Sequence, residues 1–138
     1  MLITRNLKTN SFFIKNLYYL KNYLLESFMD NEHTYCDFSK NLKKNNVHKI
    51  YHDTQYGFPL DSDNELFGRL ILEINQAGLS WNTILNKQEN FRKAYSNFSI
   101  KTIANYNDKA RTRLLNDAGI VRNRLKVNAV IHLSLIHI

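Results

Sequence analysis

Between Ser62 and Gly78 the chain spells out one complete helix, and this stretch limits the fold more than any other. Ser62 with Glu65 three residues on has the form of a capping box, Leu66, Phe67, Leu70, Ile71 and Ile74 recur at helical spacing, and Gly78 supplies a stop. The same grammar repeats downstream. The spacing predicts a second helix from about Ser80 carrying Ile84, Leu85, Phe91 and Tyr95, a third from about Asn107 through Leu114 and Leu115 to Gly119, and a further one from about Val121 through Leu125, Ala129 and Ile131. No alternating period-2 run of any length interrupts them, so the fold class is all-α. Val130 to Ile138 stay apolar without a helix stop, the pattern of a helix face whose partner is missing.

A chain of 138 residues with 43% hydrophobic content supports one domain with a modest core, plus an appendage. The appendage is the N-terminus. Met1 to Leu25 contains no acidic residue, and Phe13, Leu17, Leu20, Leu24 and Phe28 recur at helical spacing. That pattern fits a helical extension, a targeting helix, or upstream sequence read through to a true start at Met29; the longest apolar run is too short for a secretory core or a bilayer span. The organisation expected is therefore an N-terminal extension over residues 1–32 and a helical domain over 33–138. The single cysteine, Cys36, excludes an internal disulfide framework and suits a reducing compartment. A net charge of +7 favours an anionic partner such as nucleic acid, although part of the lysine content reflects a bias toward AT-rich codons.

Several residues carry chemistry. Glu73 lies between Leu66, Leu70 and Ala77 on the helical wheel, so its carboxylate points where apolar side chains point; either it is a site residue or it pairs with Arg69 one turn earlier. Trp81, just past the Gly78 turn, is either core or a platform for a flat ligand. Tyr51-His52-Asp53 precedes a Gly-Phe-Pro turn. Cys36 and His52 from a loop can be two ligands of a tetrahedral zinc, with Asp53 orienting the imidazole, or they can be ordinary surface residues. Lys109, Arg111, Arg113, Arg122, Arg124 and Lys126 form a basic cluster around Asp117-Ala-Gly-Ile-Val, able to hold phosphates or simply to be solvated.

Taken together, the strings YHDTQYGFPLDSDNELFGRLILEINQAGLSWNTILNKQENFRKAYSNF and LLNDAGIVRNRLKVNAVI resemble the N-terminal half of the bacterial DNA-3-methyladenine glycosylase I family, from about Cys36 to Ile131. The resemblance implies a helix-hairpin-helix glycosylase fold, truncated at the C-terminus, and a monofunctional, cytoplasmic enzyme that excises 3-methyladenine from alkylated double-stranded DNA by hydrolysis in base excision repair. It implies no membrane association and a monomer when complete. By motif position, Glu73 is the catalytic residue and accepts hydrogen bonds from the methylated base, Tyr51 and Trp81 line its pocket, and Cys36 and His52 give two of four ligands of a structural zinc; the DNA contacts expected come from the basic cluster, at Arg122, Arg124 and Lys126. No lysine has a context suggesting a Schiff base, so lyase activity is not expected.

The chain departs from the family pattern at several places. Gln55-Tyr56 stands where the family has Glu-Trp, His48 stands where a further pocket aromatic is expected, and the Cys36 to His52 interval is a few residues longer than usual. The family also continues past the position of Ile138 into the hairpin that grips DNA and the His and Cys that complete the zinc site. The expectation is a fragment, poorly stable and inactive alone. Two other readings compete with the enzyme: a non-catalytic DNA-binding remnant and a truncated product without function.

Overall fold

The structure is a computed structural model that describes residues 34–137; the expected N-terminal helix and the boundary at residue 32 lie outside the described residues. All regular structure among the described residues is helical, and no helix there is long and apolar enough to cross a membrane. The described residues fall into two compact units, divided between Pro59 and Leu60.

In the first unit, α1 (Tyr35–Lys40) packs against α2 (Val47–Thr54). Both helices start on side-chain caps. Thr34 and Asp37 make a reciprocal capping box, and the Asn46 side chain accepts from the His48 amide at 2.9 Å. Cys36 and His52 thus sit on helices, not on a loop as expected, because these two caps convert polar sequence into helix starts. Gly57, with φ +79°, then turns the chain at Gly-Phe-Pro.

The second unit begins with α3 (Asp63–Gln76), bounded as the sequence indicates by Ser62 and by Gly78 at φ +79°. Only half of the expected capping box forms. The Ser62 hydroxyl accepts from the Glu65 amide at 3.4 Å, while the Glu65 carboxylate turns away to clasp Arg92. Ser80 caps α4 (Trp81–Asn86), and the single helix expected from Ser80 to Tyr95 breaks at Lys87 and restarts as α5 (Gln88–Ala94). A 3-10 turn, Ser96–Phe98, follows with three successive positive φ values of 50°, 52° and 61°. It leads into α6 (Ile100–Ala104), which periodicity did not reveal, and α7 (Asp108–Asn116), which starts where expected, on an Asn107 side-chain cap. The last helix, α8 (Arg124–His137), starts later than Val121 because the Asn123 side chain accepts from the amides of Leu125 and Lys126 at 2.9 and 3.1 Å.

The core of this unit gathers Phe67 and Ile71 from α3, Phe91 from α5, Phe98 from the turn, and Val127 and Val130 from α8. Each such side chain contributes roughly 1.5–3 kcal/mol on burial. Helix α8 runs along α6 and also touches α3 and α7, so the helix that carries Glu73 is fixed against the C-terminal helix.

Candidate active site

Glu73 lies in the penultimate turn of α3 and is half-buried; Trp81 opens α4, half-buried, with its indole packed on the core. Four residues separate Gln76, the end of α3, from Trp81, and this turn is closed from several sides. The Leu79 amide donates to the Gln76 carbonyl at 2.7 Å, and the Gln76 side-chain amide returns to the Leu79 carbonyl at 3.0 Å. The Ser80 hydroxyl accepts from the Thr83 amide at 3.2 Å and meets the Thr83 hydroxyl at 2.8 Å. A carboxylate and an indole therefore flank one hydrogen-bonded turn, and neither floats on a free loop.

In the first unit, Tyr51 is buried on α2 within a cluster of rings. Tyr35 is the hub. Its ring centroid lies 6.5 Å from Tyr51, 5.0 Å from Tyr56, and 6.0 Å from each of Phe38, His48 and His52. Its hydroxyl meets His48 Nδ1 at 3.1 Å, and burial pushes the phenol well above its ordinary pKa. The same burial holds the His48 imidazole below its ordinary range, which favours the neutral ring. His48 thus occupies an aromatic position as an aromatic, edge-on to Phe38 at 5.5 Å. Sequence reasoning passed over Tyr35. The signal that could have found it is the Thr34-x-x-Asp37 cap, which makes α1 a helix and Tyr35 its first residue.

His52 Nδ1 is 2.9 Å from Asp53 Oδ1, and Lys49 donates to the same carboxylate at 3.1 Å. These two contacts hold the Asp53 carboxyl below the usual carboxylate range. They also orient the imidazole so that Nε2 is the nitrogen left for other work. Cys36 is a free thiol on α1. Among the described residues no group of three or more His, Cys, Asp or Glu is placed to hold a metal ion, so those residues do not make up a complete tetrahedral zinc site.

The basic cluster does not act as one surface. Arg111 pairs with Asp108 at 2.8 Å, and Arg113 donates to the Ala94 carbonyl at 2.9 Å with its guanidinium over the Tyr106 ring. Lys126 donates inward to the carbonyls of Asn75 and Ala77 at 2.8 and 2.6 Å. Lys109, Arg122 and Arg124 are exposed.

The sequence profile of the methyladenine glycosylase family matches residues 41–136, which takes in Tyr51, His52, Glu73, Trp81, Arg122, Arg124 and Lys126. The chain belongs to this family. Among its curated relatives, DNA-3-methyladenine glycosylase 1 of Escherichia coli (strain K12) is 42% identical over 81 residues, covering 59% of this chain and 43% of the relative. DNA-3-methyladenine glycosylase of Haemophilus influenzae is 37% identical over 81 residues, with 44% of it covered. The chain spans less than half the length of these two relatives. A crystal structure of 3-methyladenine DNA glycosylase I superposes with a TM-score of 0.63 at 36% identity, over 69% of this chain and 52% of that one. A Tyr-to-Phe variant of 3-methyladenine DNA glycosylase I in complex with 3-methyladenine gives 0.62 at 35% identity, over 67% and 50%. The all-helical fold of this methyladenine glycosylase family member accords with these neighbours. Cys36 lies ahead of the profile's match.

Proposed function

We propose that this chain carries the base-recognition half of a DNA-3-methyladenine glycosylase that hydrolyses the bond between 3-methyladenine and deoxyribose in alkylated double-stranded DNA. The observation that carries this reading is the flanking of one closed turn by Glu73 and Trp81, in the segment the family profile covers.

Methylation at N3 makes adenine cationic and weakens its glycosidic bond, so the enzyme's main task is to extrude and select the base. An aromatic face attracts a delocalised cation by roughly 0.5–2 kcal/mol, and a half-buried carboxylate adds charge-assisted hydrogen bonds. Neutral adenine gains less from both. Trp81 supplies the face and Glu73 the carboxylate. Arg122 and Arg124 would take backbone phosphates, which position the duplex without reading its sequence. The enzyme would act as a monomer in the cytoplasm, and a structural zinc belongs to this reading only as a stabiliser. Cys36 Sγ and His52 Nε2 would be two of its ligands, the rest coming from outside the described residues, and no step of base removal passes through it.

The test is titration of the 138-residue chain with 3-methyladenine and with adenine, followed by the fluorescence of its single tryptophan. Saturable quenching by 3-methyladenine, at least about tenfold tighter than by adenine and lost in Glu73→Gln, is expected. Equal binding of the two bases, or no saturable binding, would overturn the assignment. In an alkylated-duplex assay of a full-length family enzyme carrying this segment, Glu73→Gln should lower base release while leaving duplex binding near its original strength. Equal loss of both would remove Glu73 from the chemistry.

A further inference from the structure

We propose that Lys126 is a positioning residue for the Glu73 and Trp81 pair, and not a contact to DNA. Its place in Arg122-Asn123-Arg124-Leu125-Lys126 suggests a phosphate ligand, but its ammonium is directed to two main-chain carbonyls of another helix end. The last carbonyls of an α-helix lack intrahelical partners and carry the negative end of the helix dipole. Asn75 is in that last turn of α3, and Ala77 is its C-cap. Lys126 therefore neutralises the α3 terminus with charge-assisted hydrogen bonds.

The location gives this contact its function. Residues 75 and 77 lie between Glu73 and Trp81, on the approach to the reversal at Gly78. The Gln76 and Leu79 hydrogen bonds are local and set the turn's own shape. Lys126 comes from α8, whose Val127, Val130 and Ile131 are in the core, so it fixes where that shape stands relative to the core. Without it the turn can move as a unit, and the carboxylate and the indole change their separation. A displacement of this kind between reacting or binding groups costs far more than its size suggests.

The inference rests on the reading of Glu73 and Trp81 as base contacts, and its test keeps the two separable. Lys126→Met and Lys126→Arg are made in the 138-residue chain. Helix content by circular dichroism, acrylamide quenching of Trp81, affinity for free 3-methyladenine and the salt dependence of duplex binding are measured on each. Lys126→Met is expected to keep its helix content, to raise acrylamide quenching about twofold and to bind 3-methyladenine about tenfold more weakly, with the salt slope unchanged. Lys126→Arg, which can still donate to both carbonyls, should restore quenching and affinity.

Wild-type quenching and base affinity in Lys126→Met would overturn the proposal, and a salt slope smaller by about 1 would then mark Lys126 as a phosphate contact. If Lys126→Met loses helix content, Lys126→Gln, a neutral donor of shorter reach, is put through the same two readouts. Loss of helix content there too would make Lys126 a general support of the fold and sink the positioning role. If the wild-type chain binds no 3-methyladenine, the function reading fails, and Trp81 quenching alone decides whether Lys126 places the turn.

Discussion

The ring of Phe98 fills the space that a side chain on Gly68 would need. A Cβ built on Gly68 would come within 2.7 Å of Phe98 Cγ, closer than real carbon contacts allow. The ring has little room to retreat, since its backbone is held at φ 61° and the Arg92 guanidinium lies over it at 4.8 Å. Alanine at position 68 would gain about 1 kcal/mol of helix propensity. Overpacking opposes that gain, and Gly68→Ala is expected to lose about 1–3 kcal/mol net, read as a lower urea midpoint with an unchanged slope. An unchanged or raised midpoint would mean that the turn at residues 96–98 yields easily.

Arg92 also makes the two-pronged contact with Glu65, Nη1 to Oε1 and Nη2 to Oε2, both at 2.7 Å. These hydrogen bonds hold the Glu65 carboxyl below its ordinary value of 4.5. A carboxylate with a depressed folded-state pKa contributes stability that is complete above the unfolded value and is lost as pH falls through the folded one. The thermal midpoint of the wild type should therefore drop more steeply below about pH 4.5 than that of Glu65→Gln, while the two variants differ by a constant amount at neutral pH. Parallel curves down to pH 3 would show that the pair adds nothing beyond packing. Because both side chains are partly exposed, 0.15 M salt should shrink the difference without abolishing it.

Glu65 also shows where local reading of this chain ends. The bounds of α3 were legible because a cap, an apolar stripe and a left-handed glycine are all local signals. The fate of the Glu65 carboxylate was not, since its partner stands 27 residues away. The break at Lys87 has the same cause. No glycine or proline marks it, but the Lys87 ammonium donates to the carbonyls of Ala118 and Gly119, 31 and 32 residues on, and the helix restarts around that anchor. The basic cluster was visible as charge, yet charge alone does not say which side chains are taken up by main-chain carbonyls, and Arg113 and Lys126 both are. Glu73 and Trp81 stood out through their motif, whereas spacing left Glu73 open between a site residue and a pair with Arg69, and Trp81 between core and a ligand platform.

Arg122 and Arg124 remain exposed when Arg113 and Lys126 are engaged with main-chain carbonyls. If they take phosphates, each replacement by alanine should weaken duplex binding evenly across sequences and reduce the slope of log affinity against log salt by about 1. The double variant should reduce it by about 2, with base affinity in the free-ligand titration unchanged. A slope that stays constant in the double variant would move the DNA contact elsewhere on the chain.

Trp81 packs on the core yet is only half-buried. Trp81→Phe keeps an aromatic face of smaller area, and Trp81→Leu keeps apolar volume without one. Both should lose stability, by roughly 1–3 kcal/mol, because each leaves part of the indole's place empty. If a cationic base stacks there, the two must differ in binding. Measured by calorimetry, since the fluorophore is gone, Trp81→Phe should retain 3-methyladenine affinity to within about tenfold, and Trp81→Leu should lose a further factor of about ten. Equal affinities at equal stability would reduce Trp81 to a core residue and leave Glu73 as the sole recognising group on this turn.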